Sequence, residues 1–288
     1  MTQYVNLVEQ TLTEMTGVKN YTDPDQFIKD IKKSCKPFLK HKRILYRGMH
    51  GYEDMGKRKV RKKRRPKDST GNQDIFINTF LGEKKLPLRS NSIFTSTDDR
   101  TASEYGSVYL VFPVGKFRSM YFNTIEDLYA DFFEDFDGDG TLQNDYLRDS
   151  ISKHKKDLVD KFSINKKEWA ILRNWDTWDM FAGYIKDGWS ADFAIKRFKS
   201  ILTHLAKIVK NDEYGPSEVK DALATLEFGL IKTLNNFTRN DIGGAGRKEI
   251  VIECDEYFFC KEEIWPDDTP DAKSINMEKI VKKQLGLK

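Results

Sequence analysis

Apolar positions recur every three to four residues at the start of the chain. Val5, Val8, Leu12 and Met15 share one helical face over residues 4–17, and Phe27, Ile31, Cys35 and Phe38 do so over residues 25–39. Two opening helices are predicted. The period then shortens: RILYRGM, residues 43–49, is β-prone and ends at Gly48, which reads as a strand entering a basic loop. A helical turn is predicted over residues 74–81 and a strand at SIFTST. A short helix capped by Thr97 or Asp98 should end at Gly106, and VYLVFPV reads as an apolar strand.

From about residue 123 to 238 aromatic and aliphatic residues keep helical spacing, which predicts a block of four or five helical segments. Trp169, Trp175, Trp178 and Trp189 fall inside it and are expected to form its core. After the Gly-rich stretch NDIGGAGRK, the segments EIVIEC and EYFFC read as two strands, and PDDTPDAKS as the cap of a final amphipathic helix through Leu285. The expected division is therefore N-terminal helices in residues 1–42, the first part of a core in 43–122, a helical insertion in 123–240, and the second part of the core in 241–288.

Composition narrows the class. With 288 residues and 39% hydrophobic content the chain can bury a sizeable core. No window approaches the ~18 apolar residues of a membrane span, and MTQYVNLVEQTLTEM lacks a basic start followed by an apolar run. No membrane contact and a cytoplasmic location are expected. Cys35, Cys254 and Cys260 cannot all pair and lack metal-site spacing, so they read as buried thiols in a reducing compartment. The net charge of +4 resides mainly in KRKVRKKRRPK, residues 57–67, which is either a solvated loop or a contact for nucleic-acid phosphate.

Two near-motifs carry possible chemistry. GYEDMGKR places Gly51, Gly56 and Lys57 at phosphate-loop spacing, but Arg58 stands where a magnesium-holding Ser or Thr belongs. DFDGDGTLQNDY places Asp135, Asp137 and Asp139 at alternate positions of a calcium loop, with Tyr146 in place of the closing bidentate Glu. Weak Ca²⁺ binding, or an acidic turn without metal, is the expectation. The four histidines are scattered, and neither a G-x-S-x-G elbow nor a dinucleotide fingerprint occurs.

Three strand ends remain: LYRGM, then FTSTDDRTASEYG, then GAGRKEIVIEC. In this order they resemble the Arg-Ser-Glu class of mono-ADP-ribosyltransferases, over residues 43–122 and 241–260. The extended arrangement is also similar to bacteriophage-encoded proteins, which would place it in the host cytoplasm. The resemblance implies an α+β fold, an ADP-ribosyltransferase-like split β-sandwich, with an N-terminal helical pair and a large helical insertion serving as a lid or target-binding surface. It implies that NAD is a substrate, and that ADP-ribose passes to a macromolecular acceptor, protein or nucleic acid, as nicotinamide leaves.

Carried onto this chain, the resemblance makes Glu249, Arg47 and Ser96 the catalytic set. Glu249 would stabilise the cationic ribose, Arg47 would hold the diphosphate, and Ser96 would orient Glu249. Gly48, Thr97 and Tyr105 would line the NAD site beside Arg47 and Ser96, with packing of its helix onto the sheet the other reading of Tyr105. Two positions depart from the pattern. Arg247 stands two residues before Glu249, where arginine-modifying members have Glu or Gln, and Asp98 replaces the last Ser of Ser-Thr-Ser. Arg247 is thus the candidate for acceptor recognition. The alternatives are NAD hydrolysis without an acceptor, and an inactive binding module that grips nucleic acid or an acidic partner through the basic run.

Overall fold

The computed structural model describes residues 17–50, 53–63, 71–126, 145–173, 177–210, 215–264 and 274–287. The first expected helix, up to residue 16, and the acidic loop with Asp135, Asp137 and Asp139 lie outside them. Two compact units share the chain, one of residues 1–64, 91–121 and 238–288, the other of residues 65–90 and 122–237. Residues 65–90, which the hydrophobic pattern assigned to the core, thus cluster with the helical block.

Along the chain come β1 (Val18–Asn20), α1 (Pro24–Ser34), α2 (Lys36–Leu39), β2 (Leu45–Met49), β3 (Met55–Lys59) and α3 (Gly71–Glu83). Then follow β4 (Ser92–Thr95), α4 (Asp99–Ser103), β5 (Ser107–Pro113) and β6 (Arg118–Phe122). The helical block holds α5 (Asp145–Lys153), α6 (Lys155–Phe162), α7 (Lys166–Leu172), α8 (Thr177–Lys186), α9 (Ala191–Ile208), α10 (Gly215–Ala224), a π-helical stretch Thr225–Ile231 and α11 (Lys232–Asn235). The chain closes with β7 (Phe237–Arg239), β8 (Ile250–Glu253), β9 (Glu256–Lys261), β10 (Glu263–Ile264), β11 (Ile275–Asn276) and α12 (Met277–Leu285).

The first unit is α+β. A five-stranded sheet runs β1-β3-β9-β5-β2 and a four-stranded sheet runs β4-β8-β6-β7, with antiparallel pairing. Alternation divides the larger sheet. Phe112 pairs with Phe258 and Leu110 with Cys260, and this face meets α1 and α2 through Phe27 on Phe258 at 5.7 Å and Phe38 on Phe112 at 6.0 Å. Tyr109, Val111, Tyr257 and Phe259 lie on the opposite face.

Local chemistry explains where the expected elements shift. The helix read over residues 25–39 is two helices, because Pro37 has no N–H to donate and its ring crowds the preceding turn. The first closes on the Cys35 N–H to the Ile31 carbonyl, and Pro37 then sits in the first turn of α2. Part of the basic run is strand, not loop: Lys57, Arg58 and Lys59 pair with Phe258, Tyr257 and Glu256 of β9. Its cations are matched locally, Lys57 by Glu256, Arg58 by Glu53 and Lys62 by Asp255, while Lys59, Arg61 and Lys63 are exposed. Gly56, Lys57 and Arg58 therefore do not open a phosphate-binding helix. All three cysteines are buried thiols, and burial pushes Cys35 and Cys254 up to about 12.

The second unit has more and shorter helices than the expected four or five, because stop signals interrupt the apolar period. Ser163 takes φ +53° after α6, Asn165 caps α7, and Ser190 caps α9 after Gly188 turns at φ +93°. Trp178 is buried among Phe76 and Phe181, whose rings stack at 4.9 Å. Trp169 and Trp189 are only half-buried, and Trp175 lies outside the described residues.

The unit's strongest polar constraint is a buried ion pair. Arg197 donates through Nε to Glu168 Oε1 at 2.6 Å and through Nη2 to Glu168 Oε2 at 3.0 Å, and Tyr184 adds a hydroxyl at 3.2 Å. Loss of the carboxylate leaves a guanidinium enclosed. Glu168→Ala is therefore expected to destabilise this unit by about 3–5 kcal/mol, read as a lower denaturant midpoint for its transition. A change below about 1 kcal/mol would show that Arg197 finds another partner or water.

Candidate active site

Three separate stretches meet in the first unit. Tyr46 and Ser96 exchange two backbone hydrogen bonds, each 2.8 Å, which join β2 of the larger sheet to the end of β4 in the smaller. β4 pairs with β8 from Ser92 opposite Glu253 to Thr95 opposite Ile250, so Ser96 directly follows the last paired residue of β4 and Glu249 directly precedes that of β8. Arg47 thus stands on β2 next to Tyr46, while Ser96 and Glu249 flank the end of the β4 and β8 pairing.

Hydroxyls fasten the segment that carries Glu249. Thr95 donates to the Ile250 carbonyl at 3.2 Å, Ser96 to the Arg247 carbonyl at 3.4 Å, and Thr97 to the Gly246 carbonyl. Gly246 itself turns at φ +61°, a conformation that suits glycine. Ser96 is buried and its hydroxyl also accepts from the Asp98 N–H at 3.1 Å. It reaches the Glu249 segment through the Arg247 backbone. Asp98 caps α4, accepting from the Arg100 and Thr101 N–H groups at 3.0 and 3.2 Å, so Thr97 is left to hold the loop.

The functional side chains differ in surroundings. Glu249 is half-buried, with Oε1 enclosed. Arg47 is half-buried; its guanidinium lies 5.8 Å from the Tyr257 ring centre, and its Nη1 is enclosed with no acceptor among the described residues. Arg247 is exposed and paired through Nε to Asp98 Oδ2 at 3.4 Å. The two positions that depart from the resembled pattern therefore contact each other.

Gly48 and Tyr105 are tied by packing. A Cβ on Gly48 would come within 2.2 Å of the Ala102 carbonyl and 2.7 Å of Tyr105 Cβ, so the strand is glycine where α4 lies against it. The space beside Gly48 is filled by that helix. Tyr105 rests its base on the strand and is 46% exposed.

Sequence reasoning missed the polar network on the other side of β2. Tyr46 donates its hydroxyl to Glu278 Oε1 at 2.7 Å in the first turn of α12, and Lys282 lies 2.6 Å from the same oxygen. Glu278 also hydrogen-bonds Glu262. Burial first, then the bond to Glu278 and the nearby charges of Asp99 and Glu263, push the Glu262 carboxyl up to about 7. Burial would raise Glu278 too, but hydrogen bonds from Lys282, Tyr46 and Glu262 outweigh it and hold its carboxyl below the usual range. Glu262 thus keeps the proton and donates it. An isolated Glu in a polar tail carries no signal of such a partner 16 residues on.

Among the described residues no group of three or more His, Cys, Asp or Glu is placed to hold a metal ion, and no helix is long and apolar enough to cross a membrane. No family model, curated protein or solved structure matches the chain.

The carboxyl pair sets a pH dependence. Glu262 binds its proton more tightly folded than unfolded, so the stability that the shared proton contributes is complete below the ordinary 4.5 and is lost as pH rises through about 7. Glu262→Gln keeps a donor to Glu278 without titrating. The melting temperature of the variant relative to wild type is expected to rise between pH 5 and pH 8; parallel profiles would show that the pair does not share a proton.

Proposed function

We propose that the chain transfers ADP-ribose from NAD to a macromolecular acceptor and releases nicotinamide, on an ADP-ribosyltransferase-like split β-sandwich. The observation that supports this reading is that β2, which carries Arg47, is joined through Tyr46 to Ser96, and that Thr95, Ser96 and Thr97 bond the Ile250, Arg247 and Gly246 carbonyls on either side of Glu249.

Each residue then has a chemical task. As the bond between nicotinamide and ribose breaks, its electron pair leaves with nicotinamide and positive charge spreads over the ribose, as in glycoside hydrolysis. The Glu249 carboxylate offsets that charge most strongly in the transition state. Arg47 has an enclosed donor with no acceptor among the described residues, suited to a diphosphate oxygen. Ser96, Thr95 and Thr97 hold the backbone around Glu249 in place. The acceptor's nucleophile bonds to the ribose carbon and loses a proton to solvent. With water in its place the same steps give NAD hydrolysis.

For the acceptor, Arg247 is exposed beside this segment and cationic. If the acceptor is nucleic acid, Lys59, Arg61 and Lys63 are exposed cations of the basic run, among the described residues, that could meet its phosphates. Their joint replacement by Gln should then flatten the salt slope of binding by up to about 3 units, at roughly 0.9 per phosphate contact, and an unchanged slope would leave the run as a solvated edge.

Incubation with labelled NAD and a cell lysate tests the reading directly, since label should enter protein, RNA or DNA. Glu249→Gln is expected to bind NAD within a few fold of wild type and to lose about 10² or more in nicotinamide release, by comparison with the loss of one preorganised electrostatic group. Arg47→Lys should instead raise the NAD dissociation constant, because it keeps the charge and loses the fork. Full nicotinamide release by Glu249→Gln, or a wild type that neither binds nor consumes NAD, would overturn the proposal. Release without label transfer would point to the hydrolase.

A further inference from the structure

A second guanidinium shares the unusual state of Arg47. In the first unit Nη1 of Arg47 and Nε of Arg58 are both enclosed, and neither has an acceptor among the described residues. A guanidinium keeps its charge at every accessible pH, so an enclosed donor is a standing cost until an anion or water meets it. Arg58 has a carboxylate nearby, but Glu53 stands 3.6 Å from Nη2, beyond hydrogen-bond length, and leaves Nε open.

The strands set the two arginines on one face. Arg47 pairs with Tyr109, Val111 with Phe259, and Tyr257 with Arg58, so alternation carries both guanidiniums to the side of Tyr257 and Phe259. The contacts agree: the Arg47 guanidinium lies 5.8 Å from the Tyr257 ring centre, the Arg58 guanidinium 5.3 Å from that of Phe259, and the two ring centres are 6.1 Å apart. Contact with an aromatic ring at this distance is favourable to a guanidinium and leaves its other side for an anion. A Cβ on Gly56 would meet the Phe259 ring at 2.5 Å, so a glycine in β3 leaves room for that ring.

We infer that Arg58 acts with Arg47 as a two-guanidinium site for a diphosphate, laid over the Tyr257 and Phe259 floor. Two permanent charges on neighbouring rings match an anion with two charged centres better than a single carboxylate, and planar forks match phosphate oxygens. The identification of that diphosphate with the one in NAD rests on the function proposed above; the site itself rests on the arginines. Glu53 is then a competitor that the ligand displaces from Arg58.

Titration calorimetry on the full chain with ADP and with NAD tests this, alongside Arg58→Gln and Glu53→Gln. Arg58→Gln is expected to weaken ADP binding at least tenfold and NAD binding similarly, whereas Glu53→Gln, which frees the guanidinium, should tighten ADP binding severalfold. A purely structural role for Arg58 would not produce that gain. Should Arg58→Gln lose its folded circular dichroism, unchanged ADP affinity in Glu53→Gln overturns the inference. Wild-type binding of both ligands with Arg58→Gln within twofold also overturns it, and leaves the NAD reading intact. ADP binding that depends on Arg58 without any NAD binding supports the site and removes the NAD reading. Failure of wild type to bind either ligand overturns both.

Discussion

Two backbone hydrogen bonds between Tyr46 and Ser96, each 2.8 Å, tie the ends of two sheets that otherwise pair separately. Everything proposed for the site depends on this junction, because backbone bonds specify register and leave side chains free for chemistry. Tyr46 is anchored again at its hydroxyl by Glu278, and Ser96 again at its hydroxyl by the Asp98 amide and the Arg247 carbonyl. The residues that make the junction are therefore held from both sides. Arg47 follows Tyr46 on its strand, and Glu249 lies between Arg247 and Ile250, whose carbonyls Ser96 and Thr95 hold, so the backbone of both residues has a fixed position.

The first unit carries some unfavourable burial. Enclosed donors of Arg47 and Arg58, with no acceptor among the described residues, occur in a unit whose remaining core is largely apolar, with Phe258, Phe259 and Leu110 at 1% exposure or less. An unmet buried donor costs roughly 1–3 kcal/mol, which a fold accepts only where the rest of the structure overdetermines the geometry. The sheets supply that surplus. In the helical unit the buried Glu168 and Arg197 satisfy each other in a bidentate pair and so read as a structural element.

Legibility in the sequence followed the type of signal. Strands with β-branched or aromatic alternation, such as IVIE and EYFFCK, were visible, and so were helices bounded by caps. MGKRK was not, because four polar or flexible residues around one methionine carry no strand pattern; pairing with β9 on one side and β1 on the other makes it a central strand. The Arg, Ser-Thr and Glu stretches were each readable as strand ends, but their meeting was a matter of register, which short local patterns do not encode. The partners that define their environment were wholly non-local. Tyr257 lies under a guanidinium 210 positions earlier, and Glu278 receives the Tyr46 hydroxyl across 232 positions, so no window could have revealed them.

The pairing of Asp98 with Arg247 changes how the departures from the resembled pattern are understood. A serine at position 98 would cap α4 about as well as the aspartate, since both are favoured caps. The carboxylate's second oxygen is the feature a serine lacks, and it is the one that meets Arg247. The two departures are thus one interaction, worth at most about 1 kcal/mol at a surface where the arginine side chain is 63% exposed. Such a weak pair adds little to stability, yet it keeps a cation beside the segment that carries Glu249. On the transferase reading, the residue two before the carboxylate then has no means to accept a proton from the incoming nucleophile. It can attract negative charge instead, which favours an acceptor that is anionic and brings a nucleophile needing no base from this position. The pair opens easily, so an acceptor phosphate or carboxylate can take the place of Asp98 on Arg247 while the cap on α4, made by the other oxygen, stays closed.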